Sequence, residues 1–163
     1  MTPDPPADHA ALHGSRPRSH MSPSELAQKI RRAFAAVPRP QATSIAPHGC
    51  DECDELRADF AAHTVDAIPL DVLHKHVWDL PLLSAEAKQY FLPAWLIEAL
   101  SSQTWDFVDA AMQYIDSGQR FDPPIRYTDE QWQVLIDWLE FHAAAGDEVT
   151  RESAVEARRQ LGS

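Results

Sequence analysis

Ser84-Ala85-Glu86-Ala87-Lys88-Gln89-Tyr90-Phe91-Leu92-Pro93-Ala94-Trp95-Leu96-Ile97-Glu98-Ala99-Leu100 is the stretch on which the fold turns. Tyr90, Phe91, Trp95, Leu96, Ile97 and Leu100 recur at helical spacing, and Ser84 stands where a cap belongs. Pro93 lies inside the run. It has no N–H for the Gln89 carbonyl, so a kink or break is expected there. The tract is predicted to be core. A ligand groove would need convergent polar groups, and few are present.

The flanks continue the helical pattern. Ser22-Pro23-Ser24-Glu25 is a capping box with Pro at the first helical position, followed by Leu26, Ile30, Ala33, Phe34 and Val37. Pro38 and Pro40 stop that helix, and residues 39–49 are expected to be loop. A second helix is predicted from about Cys50 to Ala62, with Cys53, Leu56 and Phe60 inward. A third is opened by Pro69, carries Leu70, Leu73, Val77 and Trp78, and ends at Pro81. A fifth spans about Trp105 to Asp116, with Gly118 placed to terminate it. Arg120 to Tyr127 holds Pro123-Pro124 and reads as a rigid connector. Thr128-Asp129-Glu130-Gln131 is a second capping box, ahead of Trp132, Leu135, Ile136 and Leu139, with Gly146 at the end. A weakly amphipathic last helix, prone to fraying, runs from Thr150 to Leu161. No period-two run of β-branched residues is visible. The expected fold is all-α, one compact bundle of about six or seven helices. Residues 1–21 are expected to be a disordered tail and 22–163 the helical domain.

Fourteen Lys and Arg stand against 25 Asp and Glu, a net charge of −11 in 163 residues. That charge argues against nucleic acid or an anionic membrane as partner and permits a basic protein. No apolar run is long enough to suggest a transmembrane helix, and the first residues lack the basic-then-apolar order of a secretory signal, so a cytoplasmic protein is expected. Two cysteines are too few for a disulfide scaffold.

One local pattern carries chemistry: His48-Gly49-Cys50-Asp51-Glu52-Cys53. Thiolate and imidazole are ligands that zinc prefers, and His48, Cys50 and Cys53 present three of them. Cys50 at a helix start and Cys53 one turn on share a face, and Gly49 is expected to let the chain turn so that His48 comes round. A fourth ligand would come from His63, His74, His76 or water. The helix start favours thiolate, whereas Asp51, Glu52, Asp54 and Glu55 oppose it. The competing expectation is a reduced pair with Cys53 buried as a small apolar residue. A redox role ranks lower, because such a CxxC is expected beside a strand. His74 and His76 are two apart, so a helix points them different ways; one is expected in solvent and one partly packed. Asp106, Asp109 and Asp116 share a side of their helix, as a solvated face or an acidic docking patch. No Ser/His/Asp order, Gly-rich phosphate loop or HExxH is present.

His48-x-Cys50-Asp51-Glu52-Cys53-Asp54-Glu55-Leu56, then Phe60, Leu82-Leu83-Ser84-Ala85-Glu86-Ala87 and Tyr90-Phe91-Leu92-Pro93-Ala94 resemble a bacterial family of unknown function, the one numbered 6714. The likeness runs from about Ser24 to Ala145. Val65 stands where that family's pattern implies an aromatic residue after Thr64. The resemblance implies a small helical bacterial protein with a recurrent Cys pair, and no activity. Two functions are therefore carried forward. The first is a small acidic bacterial cytosolic binding protein, immunity- or adaptor-like, with a structural zinc site as its variant. The second is a zinc-dependent hydrolytic enzyme built on His48, Cys50 and Cys53, with Glu52 or Asp51 as general base.

Overall fold

The computed structural model describes residues 21–101, 105–117 and 126–161. The expected tail over 1–20, Gly118 and most of the Pro123-Pro124 connector lie outside the described residues.

Among the described residues the chain forms seven α-helices and no strand. They are α1 (Pro23–Phe34), α2 (Asp51–Ala61), α3 (Leu70–Lys75), α4 (Ala85–Ser101), α5 (Asp106–Ser117), α6 (Asp129–Ala145) and α7 (Glu148–Leu161). Short 3-10 turns at Ala42–Ser44, Val65–Ala67 and Leu80–Leu82 shape the connections. Met21, expected in the tail, packs against the core and so belongs to the folded part.

Both capping boxes form. The Ser22 hydroxyl accepts from the Glu25 N–H at 3.2 Å, while the Glu25 carboxylate accepts from the Ser22 N–H at 2.9 Å. Thr128 and Gln131 repeat the exchange at 3.2 and 3.1 Å. Each box satisfies N–H groups that helix geometry leaves open.

Helix α4 is the centre. It packs on α1 and α5, and α6 joins α1 to α7, which in turn rests on α5. Phe91, Leu92, Pro93, Ala94, Trp95 and Leu96 are all buried, so neighbours enclose this helix almost all round. That enclosure explains why α4 runs through Pro93 as one helix instead of breaking. Burial of each such large side chain contributes about 1.5–3 kcal/mol, comparable with the loss from one missing helical hydrogen bond and its clash. The tryptophans keep their polar ends satisfied. Trp95 Nε1 donates to the Val77 carbonyl at 2.9 Å, and Trp138 Nε1 donates to the Leu96 carbonyl at 3.0 Å. Gln131 is buried too, and donates to the Ala33 carbonyl at 3.2 Å, which ties α6 to the end of α1.

The third helix differs from its expected form. It is short, and the chain turns after it through residues 76–78 before the 3-10 turn at Leu80–Leu82. Leu73 and Val77 are buried as expected, but Leu70 is 60% and Trp78 48% exposed. The last helix starts before Thr150, at Glu148, because the Asp147 carboxylate accepts from the Thr150 N–H at 2.9 Å and caps it. Ala154 and Ala157 are its buried stripe.

Gly146 closes α6 for a reason other than the usual one. Its φ is −83°, outside the left-handed region. A Cβ there would sit 2.6 Å from the Thr150 Cβ and 2.7 Å from the His142 carbonyl oxygen. The glycine is needed because α7 turns back so closely on α6.

Candidate functional site

The cysteine corner is built by the start of α2. Cys50 is the N-cap, with extended backbone, and its carbonyl accepts the first helical bond from the Asp54 N–H at 2.9 Å. Asp51, Glu52 and Asp54 fill the first turn, where the helix dipole favours negative charge. Arg57, one turn further on, clips the incoming loop to the helix. It donates to the His48 carbonyl at 3.1 Å and to the Ala46 carbonyl, and pairs with Asp54.

Within this corner Cys50 is exposed and Cys53 fully buried. The two thiols are hydrogen-bonded to one another. Burial pushes the Cys53 thiol up, and neighbouring Cys50 pushes the same way, while a backbone hydrogen bond from His48 and the Arg57 charge pull it down by less. His48 thus meets Cys53 through its backbone. Among the described residues, no group of three or more His, Cys, Asp or Glu side chains is gathered so as to hold a metal ion. Two of the three sequence candidates, Cys50 and Cys53, come together as side chains, and the fit to zinc as placed is two ligands of a tetrahedral four. Gly49 accounts for part of this. It has no positive φ, and a Cβ on it would meet nothing within 4 Å, so the sharp turn expected to bring His48 round is not made.

The other histidines divide as their spacing implied. His74 is exposed on α3; its ring meets Phe107 edge-on at 4.9 Å and its Nε2 lies 3.4 Å from Glu98. His76 is 2% exposed and bridges two carboxylates, Nδ1 to Asp79 at 2.7 Å and Nε2 to Asp59 at 2.8 Å. Asp59 also accepts from Lys75 at 2.8 Å, and Lys75 reaches Glu55 at 2.6 Å. Lys75 first, then His76, hold the Asp59 carboxyl below its usual range. Sequence reasoning missed this bridge, because its partners are 17 residues apart and nothing local marks them. Both ring nitrogens are occupied, so His76 has no free nitrogen for acid–base work or for a metal. It fastens α2 to the turn after α3. His63 is half-buried and joins neither group.

A dip lined by Arg39, Pro40, Ala42, Ile45 and Ala61 holds one charged side chain, and that guanidinium already donates to the Ala61 carbonyl. It brings no set of polar groups to bear on a substrate. Asp106 and Asp109 are exposed on α5, while the Asp116 side chain lies outside the described residues. No helix among the described residues is long and apolar enough to cross a membrane.

A protein-family model, described as a family of unknown function (DUF6714), matches residues 22–161. No curated protein and no solved structure matches the chain.

Proposed function

The chain belongs to the DUF6714 family of unknown function, and from its own residues we propose that it is a non-catalytic binding protein whose partner is a basic protein. The observation that carries the proposal is a set of large apolar side chains left in water on an acidic chain. Leu70 is 60%, Trp78 48% and Trp105 49% exposed, on a molecule of net charge −11. Leu70, His74 and Trp78 succeed one another at intervals of four along α3 and the turn after it. The His74 ring lies on Phe107, two residues beyond Trp105, so α3 and the start of α5 adjoin there. Asp71, Glu98 and Asp106 belong to the same segments.

Such a combination suits protein recognition. Tryptophan anchors supply much of an interface's energy when a partner covers them, and surrounding acids steer a basic surface toward them. An immunity- or adaptor-like role, masking a basic partner, is the form of binding we favour. The hydrolytic alternative has no comparable support, since one loop and two thiols supply neither an open metal position nor a placed base.

The test compares the full chain with Trp78→Ala/Trp105→Ala in capture from cells of the source organism. The captured protein is then purified and its binding measured directly. A basic partner is expected, with affinity lowered at least about tenfold by the double variant. Its on-rate should fall as NaCl rises from about 0.05 to 0.5 M, where screening shortens from beyond 10 Å to a few ångströms. A partner with an acidic contact surface, an on-rate indifferent to salt, or a double variant that binds as well as the parent would overturn the proposal.

A further inference from the structure

The page carries a second site, independent of the partner face. We propose that Cys50 and Cys53 are a thiol–disulfide pair: exposed Cys50 is the attacking thiol, buried Cys53 resolves it, and the oxidant is a cationic disulfide. Three observations support this. The two thiols are hydrogen-bonded to one another, so no rearrangement of the helix is required to bring the sulfurs within bonding reach. Cys50 caps α2 and is exposed, while Cys53 is 0% exposed, so solvent reaches only the first. Arg57 holds the loop before Cys50 through the His48 and Ala46 carbonyls, which keeps the pair in register. The chemistry needs two apposed sulfurs at a helix start and no neighbouring strand.

The exchange balances in two steps. The Cys50 thiolate attacks one sulfur of a disulfide RS–SR, forming Cys50–S–SR and releasing RS⁻. Cys53 then loses its proton to water and attacks the Cys50 sulfur, forming the Cys50–Cys53 disulfide and expelling the second RS⁻. Two protein thiols are oxidised, one disulfide is reduced, and the two released thiolates take up the two protons. Charge selects the oxidant. Asp51, Glu52, Asp54 and Glu55 are all exposed around the attacking sulfur, so they repel an anionic disulfide such as oxidised glutathione and attract a cationic one.

The test uses the reduced full chain, purified without chelator, with cystamine as probe and intact mass as readout. The expected product loses two hydrogens and carries no adduct. Cys53→Ala should stop at one cysteamine adduct on Cys50, and Cys53→Ser should do the same, so a folding failure of either leaves the other. Cys50→Ser should stay unmodified over the same interval. Cystamine should react faster than oxidised glutathione at low salt, with the gap closing as salt rises. Several outcomes would overturn the proposal: a parent chain that ends as an adduct or a cross-linked dimer; Cys50→Ser reacting as fast as Cys53→Ala; or glutathione disulfide reacting faster. So would one zinc per chain in the purified protein, with thiols that react only after chelation.

Discussion

His142 is buried in α6 at 5% exposure, with its ring 4.3 Å from that of Trp138 and 5.2 Å from that of Phe141. Its Nε2 has no hydrogen-bond partner. Burial disfavours the charged ring and lowers its pKa from 6.5 to about 4. The unfolded chain therefore binds a proton between those values that the folded chain refuses. Stability is full above about pH 6.5 and is lost as pH falls toward 4, by about 3 kcal/mol in total. Asp109, whose carboxyl is pushed up by burial and then by Asp106 and Asp147, gives the opposite slope, so the difference between variants isolates the histidine. His142→Leu should flatten the fall in melting temperature between pH 6.5 and pH 4. An unchanged slope would mean that the ring takes its proton without leaving the core. The motif His142 stands in says nothing of this, since its pKa depends on what packs round the ring.

Helices α2 and α4 and the turn after α3 meet at Trp95, which is a matter of elements and not of one side chain. Its ring stacks on Phe60 with centroids 5.8 Å apart, and Phe60 meets Phe91 edge-on at 5.0 Å. The indole N–H holds the Val77 carbonyl, and His76 beside it holds Asp59 of α2. Trp95→Ala should cost about 3–5 kcal/mol by leaving a cavity and an unpaired carbonyl at once. Trp78→Ala should cost well under about 1 kcal/mol, because half of that side chain is already in water. Urea denaturation of both variants checks the pair of expectations, and equal losses would show that the exposed tryptophan also supports the fold. Both residues sit in apolar stripes of the sequence. Only the third helix's early end separates them: once the chain turns after Lys75, Val77 faces inward and Trp78 outward.

Across the whole molecule, 25 acids face 14 basic residues, and most of the ion pairs are at the surface. Such pairs are worth little, while repulsion among the unmatched acids acts throughout the surface. Raising NaCl from about 0.01 to 0.2 M should therefore raise the melting temperature, as screening weakens the repulsion first. A fall would assign more stability to networks such as Glu55–Lys75–Asp59–His76 than surface pairs ordinarily have. The sequence by itself determined the helical class, the family, both capping boxes, the helix carrying Phe91 and Trp95, and the burial of Cys53 beneath Cys50. Those features are local: a cap reads residues three apart, and a helix repeats its face every three or four. Tertiary structure alone decided that α4 passes through Pro93, that His48 lends its backbone and not its ring to Cys53, and that Gly146 serves close packing. It also decided that His76 is bridged while His142 is left with a bare nitrogen. Each of these depends on which distant residues fill the space around a side chain, and spacing along a chain carries no record of that.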